Sequence, residues 1–483
     1  FKPDLRVRLF LFPEVANFPL LYGRQADIIF VKIRHLEARK SVQFNSIEFI
    51  FYFLPLFLAV YYIFTPRFRN AVLLAGSLVF YVLASSGNYW WVAVLAICTL
   101  LSYYAGITLE KTCKKTLLIV YLSVLALVLA FFKLFGAGKF LPAGMSFYLF
   151  QLAAYLIDVY REKLQPQQDI LRFGSRIAMF PKLLSGPLVT PVKLYGEVDG
   201  KPSHQNIHEG IQLLILGLGL KVILANRLGG LWTQPAIAGY ESISAPAAWL
   251  ALTAYAMQLY FDFYGYSLMA MGLGKMLGFD LPENFDHPYA SKSVSEFYRR
   301  WHISLGLWFR EYVYIPLGGN RGGTLRTVLN LAVVWLFTGI WHGIGGNYLI
   351  WAVFLLLLIV NERLWLGKWL KQSRILSRVY LVFAILLSWV PFAIDDWNQM
   401  VIFLGRLFAI GAAAINPQDY LVWGKEYSLL LAAGALLATP LPERLWKKIR
   451  HTLLADVLLV ALFWLVIYFI STAAQDPFLY FQY

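Results

Sequence analysis

From Ala71 to Leu109 the chain runs for 39 residues without one Asp, Glu, Lys or Arg. A second run, Thr327–Asn361, does the same for 35. About 20 mostly apolar residues suffice for a helix to cross a bilayer. The first run is broken by Ser85-Ser86-Gly87-Asn88 and reads as two spans and a turn. Overall, 59% of the 483 residues are hydrophobic and 14% charged, against about 25% charged in a soluble domain. Mean hydropathy is +0.60. These values exclude a soluble globular domain and a disordered chain, and two cysteines, Cys98 and Cys113, exclude a disulfide scaffold. The 17% aromatic content suits the two membrane interfaces, where amphipathic rings settle.

Residues 49–66 form the first candidate span. After the pair within 71–109, further candidates are 116–132, 140–157, 207–227, 246–274, 326–343, 347–361, 378–394, 399–414, 426–440 and 457–475. The expected architecture is all-α and polytopic, with roughly 11 spans plus re-entrant or interfacial helices. Arg67 and Arg69 follow the first span, the Ser85–Asn88 loop is uncharged, and Lys111, Lys114 and Lys115 follow the third. The positive-inside rule then places the first and third loops in the cytoplasm.

The net charge of +15 would suggest nucleic acid in a soluble protein. Here the basic residues sit in short loops between apolar runs, so nucleic acid is not an expected partner; the lipid bilayer is. Residues 1–41 carry eight basic and four acidic side chains, a +4 segment that resists export. They are expected to be an over-extended gene start or an added segment, the alternative being a genuine cytoplasmic extension. The membrane domain is placed at 42–483.

Two polar islands interrupt the apolar pattern. The first, Tyr160–Lys201, contains F-P-K-L-L-S-G-P-L at Phe180–Leu188, where two prolines and a glycine oppose one straight helix. It reads either as a re-entrant segment or as an interfacial loop. The second, Gln258–Gly323, opens with Asp262 inside an apolar helix, where a carboxylate needs a partner or a role. Phe297, Trp301, Leu305 and Trp308 then recur at helical spacing among charged residues, predicting one amphipathic helix over 295–312. It ends in the glycine-rich Ile315–Gly323, which lacks the G-K-[ST] ending of a phosphate loop and reads as a turn first.

Of the seven histidines, His35 lies in the N-terminal segment. His204 and His208 share a helix face but show no third ligand, so no metal site is expected. His451 and Asp456 match an H-x4-D pattern that reads as chance, and His287 before a proline reads as a turn residue. His342 stands in W-L-F-T-G-I-W-H-G, within the charge-free run Thr327–Asn361. A lone histidine there is either a satisfied structural group or a functional one, and in a membrane an ionisable residue is a functional candidate by default. A neutral imidazole can take a proton from a hydroxyl, as a general base must. His302, beside Arg299 and Arg300, is the second candidate, able to share a cavity with His342 if its helix packs under that span.

These segments resemble the bacterial membrane-bound O-acyltransferases, in the branch that O-acetylates alginate. The matching stretches are N-S-I-E-F-I-F-Y-F-L-P, S-F-Y-L-F-Q-L-A-A-Y-L-I-D-V-Y-R, F-P-K-L-L-S-G-P, Y-F-D-F-Y-G-Y-S, E-N-F, R-R-W-H-I-S-L, Y-I-P-L-G-G-N-R, F-T-G-I-W-H-G and the terminal F-L-Y-F-Q-Y. The resemblance covers Val42 to the last residue. By motif position it assigns His342 as the essential intramembrane histidine and His302 as the second signature histidine. It implies an O-acyltransferase in the bacterial inner membrane. The group moved, acetyl first, would pass from a cytoplasmic thioester donor such as acetyl-CoA or an acyl carrier to a hydroxyl. That hydroxyl belongs to an extracytoplasmic polysaccharide, reached directly or through a periplasmic acetyltransferase- or esterase-like partner. No permanently bound cofactor is implied. D-alanyl or longer-acyl transfer on the same fold is the nearest alternative; a proton-coupled transporter using His342 and Asp262 is the alternative of another class. Tyr264 and Leu268 depart from the usual F-S-G-Y-S-D, and His287 stands where tyrosine is usual.

Overall fold

A computed structural model describes residues 41–136, 141–196, 202–411 and 414–472. The N-terminal segment before Ser41 and the terminal F-L-Y-F-Q-Y motif lie outside the described residues. In chain order the helices are α1 (Glu48–Ile63), α2 (Pro66–Ala84), α3 (Trp90–Thr112), α4 (Lys115–Phe135), α5 (Met145–Tyr160), α6 (Ile170–Ile177), α7 (Phe180–Leu183), α8 (Pro191–Gly196) and α9 (His204–Ala238). They continue with α10 (Ala245–Met276), α11 (Val294–Arg300), α12 (Ile303–Phe309), α13 (Gly323–His342), α14 (Gly346–Leu370), α15 (Arg374–Ala393), α16 (Trp397–Leu407), α17 (Asp419–Leu437), α18 (Pro440–Ile449) and α19 (Leu453–Thr472).

The protein is an all-helical, multi-pass membrane protein. Among the described residues, eight helices are long and apolar enough to cross a membrane, or up to nine if α17 and α18, bent by 74°, form one broken span. The expected count of roughly 11 differs for physical reasons. The stretch 399–414 forms only the 11-residue α16, and α1 and α5 have 16 residues each. The 32-residue α10 is not among the eight because its composition is less apolar; it is largely buried against other helices and carries Gln258 and Asp262 within that burial.

That burial makes α10 the axis of the fold. Tyr266, Met269 and Leu273 on its second half join a core with α1–α7 and the first half of α9. Tyr255 and Leu259 on its first half, with Phe263 just past its middle, join a second core with α13–α16. Close approach of α9 to α10 depends on glycine: a Cβ on Gly217 or Gly210 would stand 2.5 or 2.6 Å from the carbonyl oxygens of Gly265 and Gly272. Small residues at such crossings let backbones touch. A third, smaller cluster of Phe147, Phe150, Leu188, Leu305, Phe309 and Trp341 lies where α5, α12 and α13 meet.

The Phe180–Leu188 segment is buried throughout, with Lys182 fully enclosed and bonded to Gln151. Its broken backbone is covered by protein, which fits the re-entrant reading and not a loop on the interface.

Candidate active site

The expected single helix over 295–312 is two helices with a break at Trp301-His302. Local periodicity is overridden by pairing with the chain at 284–286. Asp286 N donates to Arg300 O at 3.0 Å, and Ile303 N donates to Asn284 O at 2.9 Å. His302 takes the left-handed conformation, φ +47°, which L-residues other than glycine adopt at a cost. The turn of the chain aims its imidazole inward instead of along a helix face.

A polar network holds that ring. His302 Nδ1 lies 3.1 Å from Asn284 Oδ1, which also accepts from Ser304 N at 3.2 Å and Ser304 Oγ at 2.9 Å. The Ser304 backbone N–H only donates, which fixes Oδ1 on its side and leaves Asn284 Nδ2 to donate to Ser267 Oγ at 3.2 Å. With Oδ1 facing the ring, Nδ1 carries the proton and Nε2 is the basic nitrogen. Burial pushes the His302 pKa down to about 3, so the ring is neutral at physiological pH.

His342 is placed differently. It is the last residue of α13, buried, with ring centroids of Trp341 at 4.5 Å, Trp351 at 5.0 Å, Phe392 at 5.2 Å and Tyr348 at 6.4 Å. The approach of α13 to α14 beneath it needs Gly339, where a Cβ would meet Ala352 Cβ at 2.8 Å and Tyr348 O at 3.0 Å.

Both histidines line one cavity of about 250 Å³, walled by Trp301, Leu305, Trp335, Trp351, Trp389 and Phe392, with Arg310 and Tyr314 also on its wall. A second cavity of about 150 Å³ is lined by Trp91, Lys133, Leu141–Phe147, Leu184, Trp341 and His342. His342 therefore borders both. At the second cavity, Lys133 Nζ donates to Trp341 O.

The other candidates fall elsewhere. Asp262 pairs with Lys221, both buried, which supplies the partner its position demands. His208 binds Asp456 at 2.9 Å, so the H-x4-D pattern does not join His451 to Asp456; His451 instead accepts from Arg450 Nε at 3.0 Å. His287 does shape a turn, with φ +45°, between Asp286 at 3.4 Å and Glu443 at 3.3 Å. The loop after Tyr314 is a turn with Gly318 and Gly319 in the left-handed region. Leu268, the departure on α10, lines neither cavity.

Sequence reasoning missed three residues at the site. Asn284 sits in the quoted E-N-F stretch, but nothing in spacing gives a lone asparagine a role. Ser304 follows the same logic. Lys133 fell just beyond the 116–132 span, yet it lies in the last turn of α4.

An all-helical membrane protein with two imidazoles on one cavity, one of them also bordering a second cavity, has the architecture of a membrane enzyme rather than of a soluble-type acyltransferase. A model of the membrane-bound O-acyltransferase family matches residues 240–415. A probable alginate O-acetylase of Pseudomonas putida is 31% identical over 91% of this chain and 100% of its own length. A peptidoglycan O-acetyltransferase of Helicobacter pylori is 31% identical over 64% of this chain and 68% of its own. A teichoic acid D-alanyltransferase of Streptococcus thermophilus is 25% identical over 49% of this chain and 59% of its own. The chain belongs to the membrane-bound O-acyltransferase family and is an O-acyltransferase.

Proposed function

We propose that the protein moves an acyl group, acetyl first, from a cytoplasmic thioester donor toward a hydroxyl of an extracytoplasmic polysaccharide. It does so in the bacterial inner membrane, directly or by way of a periplasmic acetyltransferase- or esterase-like partner. The single observation that carries this is the placement of His342 on both cavities. Under the positive-inside orientation, Lys115 starts α4 on the cytoplasmic side and Lys133 ends it on the other. The second cavity then serves the acceptor, and the first, with Arg310 and Tyr314, serves the donor.

In this mechanism the acceptor hydroxyl gives its proton to the His342 imidazole as its oxygen attacks the thioester carbonyl. The C–O ester bond forms, the C–S bond breaks, and the proton passes from His342 to the leaving thiolate. His302, whose Nδ1–H is committed to Asn284, offers Nε2 as an acceptor and orients a donor or acceptor group by receiving a hydrogen bond. The aromatic walls and small volume of the first cavity suit a short acyl group. The acyl donor, acetyl-CoA or an acyl carrier, is a co-substrate, and no metal takes part in the scheme. The Lys221–Asp262 pair supports the enzyme over a proton-relay transporter, because the carboxylate that a relay needs is spent on a buried lysine.

The test is mass spectrometry of acyl groups on the exported glycan from cells carrying wild type or His342→Ala. Acetyl esters present with wild type and absent with the variant are expected. Persisting esters overturn the role of His342; a D-alanyl or longer group changes the cargo; lost solute flux with normal acylation moves the protein to the transporters.

A further inference from the structure

The wall of the second cavity holds two donors that the scheme above leaves without a task. Lys133 lines it from the last turn of α4, and no carboxylate pairs with Lys133 among the described residues. A cation within a membrane helix is costly and marks a site unless it is paired. Its ammonium donates to the Trp341 carbonyl, which leaves two of three protons for other acceptors. Trp91 lines the same cavity from the first turn of α3, and its buried indole N–H has no acceptor among the described residues. Both groups only donate. A buried donor left unpaired is costly in the resting protein. His342, the proposed general base, stands on the same wall. Acyl transfer creates a passing negative charge beside such a base: when a hydroxyl adds to a thioester, the carbonyl oxygen becomes an oxyanion.

We propose that Lys133 and Trp91 form the oxyanion hole of the reaction, the ammonium and the indole N–H both donating to the carbonyl oxygen of the tetrahedral intermediate formed beside His342. This rests on the acyl-transfer reading above and adds two groups to its site. As the acceptor oxygen bonds to the carbonyl carbon, His342 takes the hydroxyl proton and the carbonyl π pair moves onto oxygen. That pair then re-forms C=O, the C–S bond breaks with its electrons on sulfur, and the thiolate takes the proton from His342. Lys133 and Trp91 keep their protons throughout. The intermediate's oxyanion faces two cations, Lys133 and the imidazolium of His342, whereas the thioester carbonyl before attack is neutral. An interaction that strengthens only as charge develops raises kcat instead of lowering KM, and donors fixed in advance need no reorganisation. The competing role for Lys133 is structural, as a cap on the open carbonyls at the end of α13. Lys133→Gln separates the two, because glutamine keeps a donor for the Trp341 carbonyl and loses the charge.

The experiment uses the full chain in lipid nanodiscs, with the exported glycan as acceptor and S-acetyl-4′-phosphopantetheine, the arm common to CoA and acyl carriers, as donor. Lys133→Gln should lower kcat about 10²-fold, the worth of one oxyanion donor, with KM kept. Trp91→Phe, which loses a neutral donor, should lower it about tenfold. Two inert analogues of the donor are then bound in place of it. In one a methylphosphonyl group replaces acetyl, giving a tetrahedral anion; in the other CH2 replaces the thioester sulfur, giving a neutral ketone. Each variant should weaken binding of the anion by about the factor it takes from kcat and leave the ketone unchanged. Unchanged kcat in both variants overturns the proposal. So does a raised KM with kcat kept, or an equal loss of anion and ketone binding in a variant whose thermal unfolding matches wild type. If Lys133→Gln does not fold, Trp91→Phe decides by the same criteria. His342-dependent transfer that both variants leave intact keeps the acyl-transfer reading and removes the oxyanion hole. Lys133-dependent binding of the anion by a protein that transfers nothing keeps the anion site and removes that reading, so the two fail separately.

Discussion

His302 and His342 reach the same cavity by opposite means. His302 is held by hydrogen bonds: a left-handed backbone, a paired segment at 284–286 and an asparagine that accepts from its ring and from Ser304. His342 is held by packing: a helix end, a glycine contact and a cage of aromatic rings. A hydrogen-bonded ring has one tautomer and one orientation, so it suits a positioning task. A ring caged by aromatic neighbours at the meeting of two cavities can take a proton from a group in one and give it to a group in the other, which suits a general base.

The sharpest way to break this contrast is to remove each imidazole in turn and measure acyl transfer. His342→Gln should lower the rate about 10²–10⁴-fold, the range for a lost general base. His302→Asn should lower it about tenfold, the worth of one orienting hydrogen bond. Asparagine is chosen because it tolerates the left-handed backbone at this position. If His302→Asn costs as much as His342→Gln, the roles are exchanged, and Nε2 of His302 is the base.

The next test attacks the network rather than the ring. Asn284→Leu leaves the His302 Nδ1–H and the Ser304 donors without Oδ1. Thermal unfolding in nanodiscs should show a loss of roughly 1–3 kcal/mol, the cost of orphaned buried polar groups. Transfer should fall about as far as in His302→Asn, and the double variant should fall no further, since both act through one group. Independent, multiplying losses would separate Asn284 from His302.

The same contrast marks how far the sequence alone could be read. His342 was visible because a single histidine in 35 residues free of Asp, Glu, Lys and Arg stands out by composition. The break at His302 was not visible: Phe297, Trp301, Leu305 and Trp308 keep helical spacing straight through it, and only pairing with a distant segment interrupts the backbone. The same limit applies to Lys221 and Asp262, 41 positions apart, whose pairing turns an apparent functional carboxylate into a structural one. The membrane class was legible from charge-free runs, but the number of spans was not. Buried polar groups such as Gln258 and Asp262 lower the apolarity of α10, a helix long enough to span, while short apolar stretches such as 399–414 form only partial helices.

The last expected effect concerns pH and His302. In the folded protein burial holds its pKa at about 3, whereas an unfolded histidine titrates near 6.5. As pH falls below 6.5 the unfolded chain takes up a proton that the folded one refuses until about pH 3. The unfolded state therefore gains, and folded stability declines across that window. Other groups also titrate there, so the informative quantity is a difference: unfolding midpoints of wild type and His302→Asn, followed from pH 7 to pH 4. Wild type should lose stability faster than the variant as the medium is acidified. Parallel curves would mean that His302 takes up its proton in the folded state as readily as in the unfolded one, and the dry, hydrogen-bonded half of the contrast would fail.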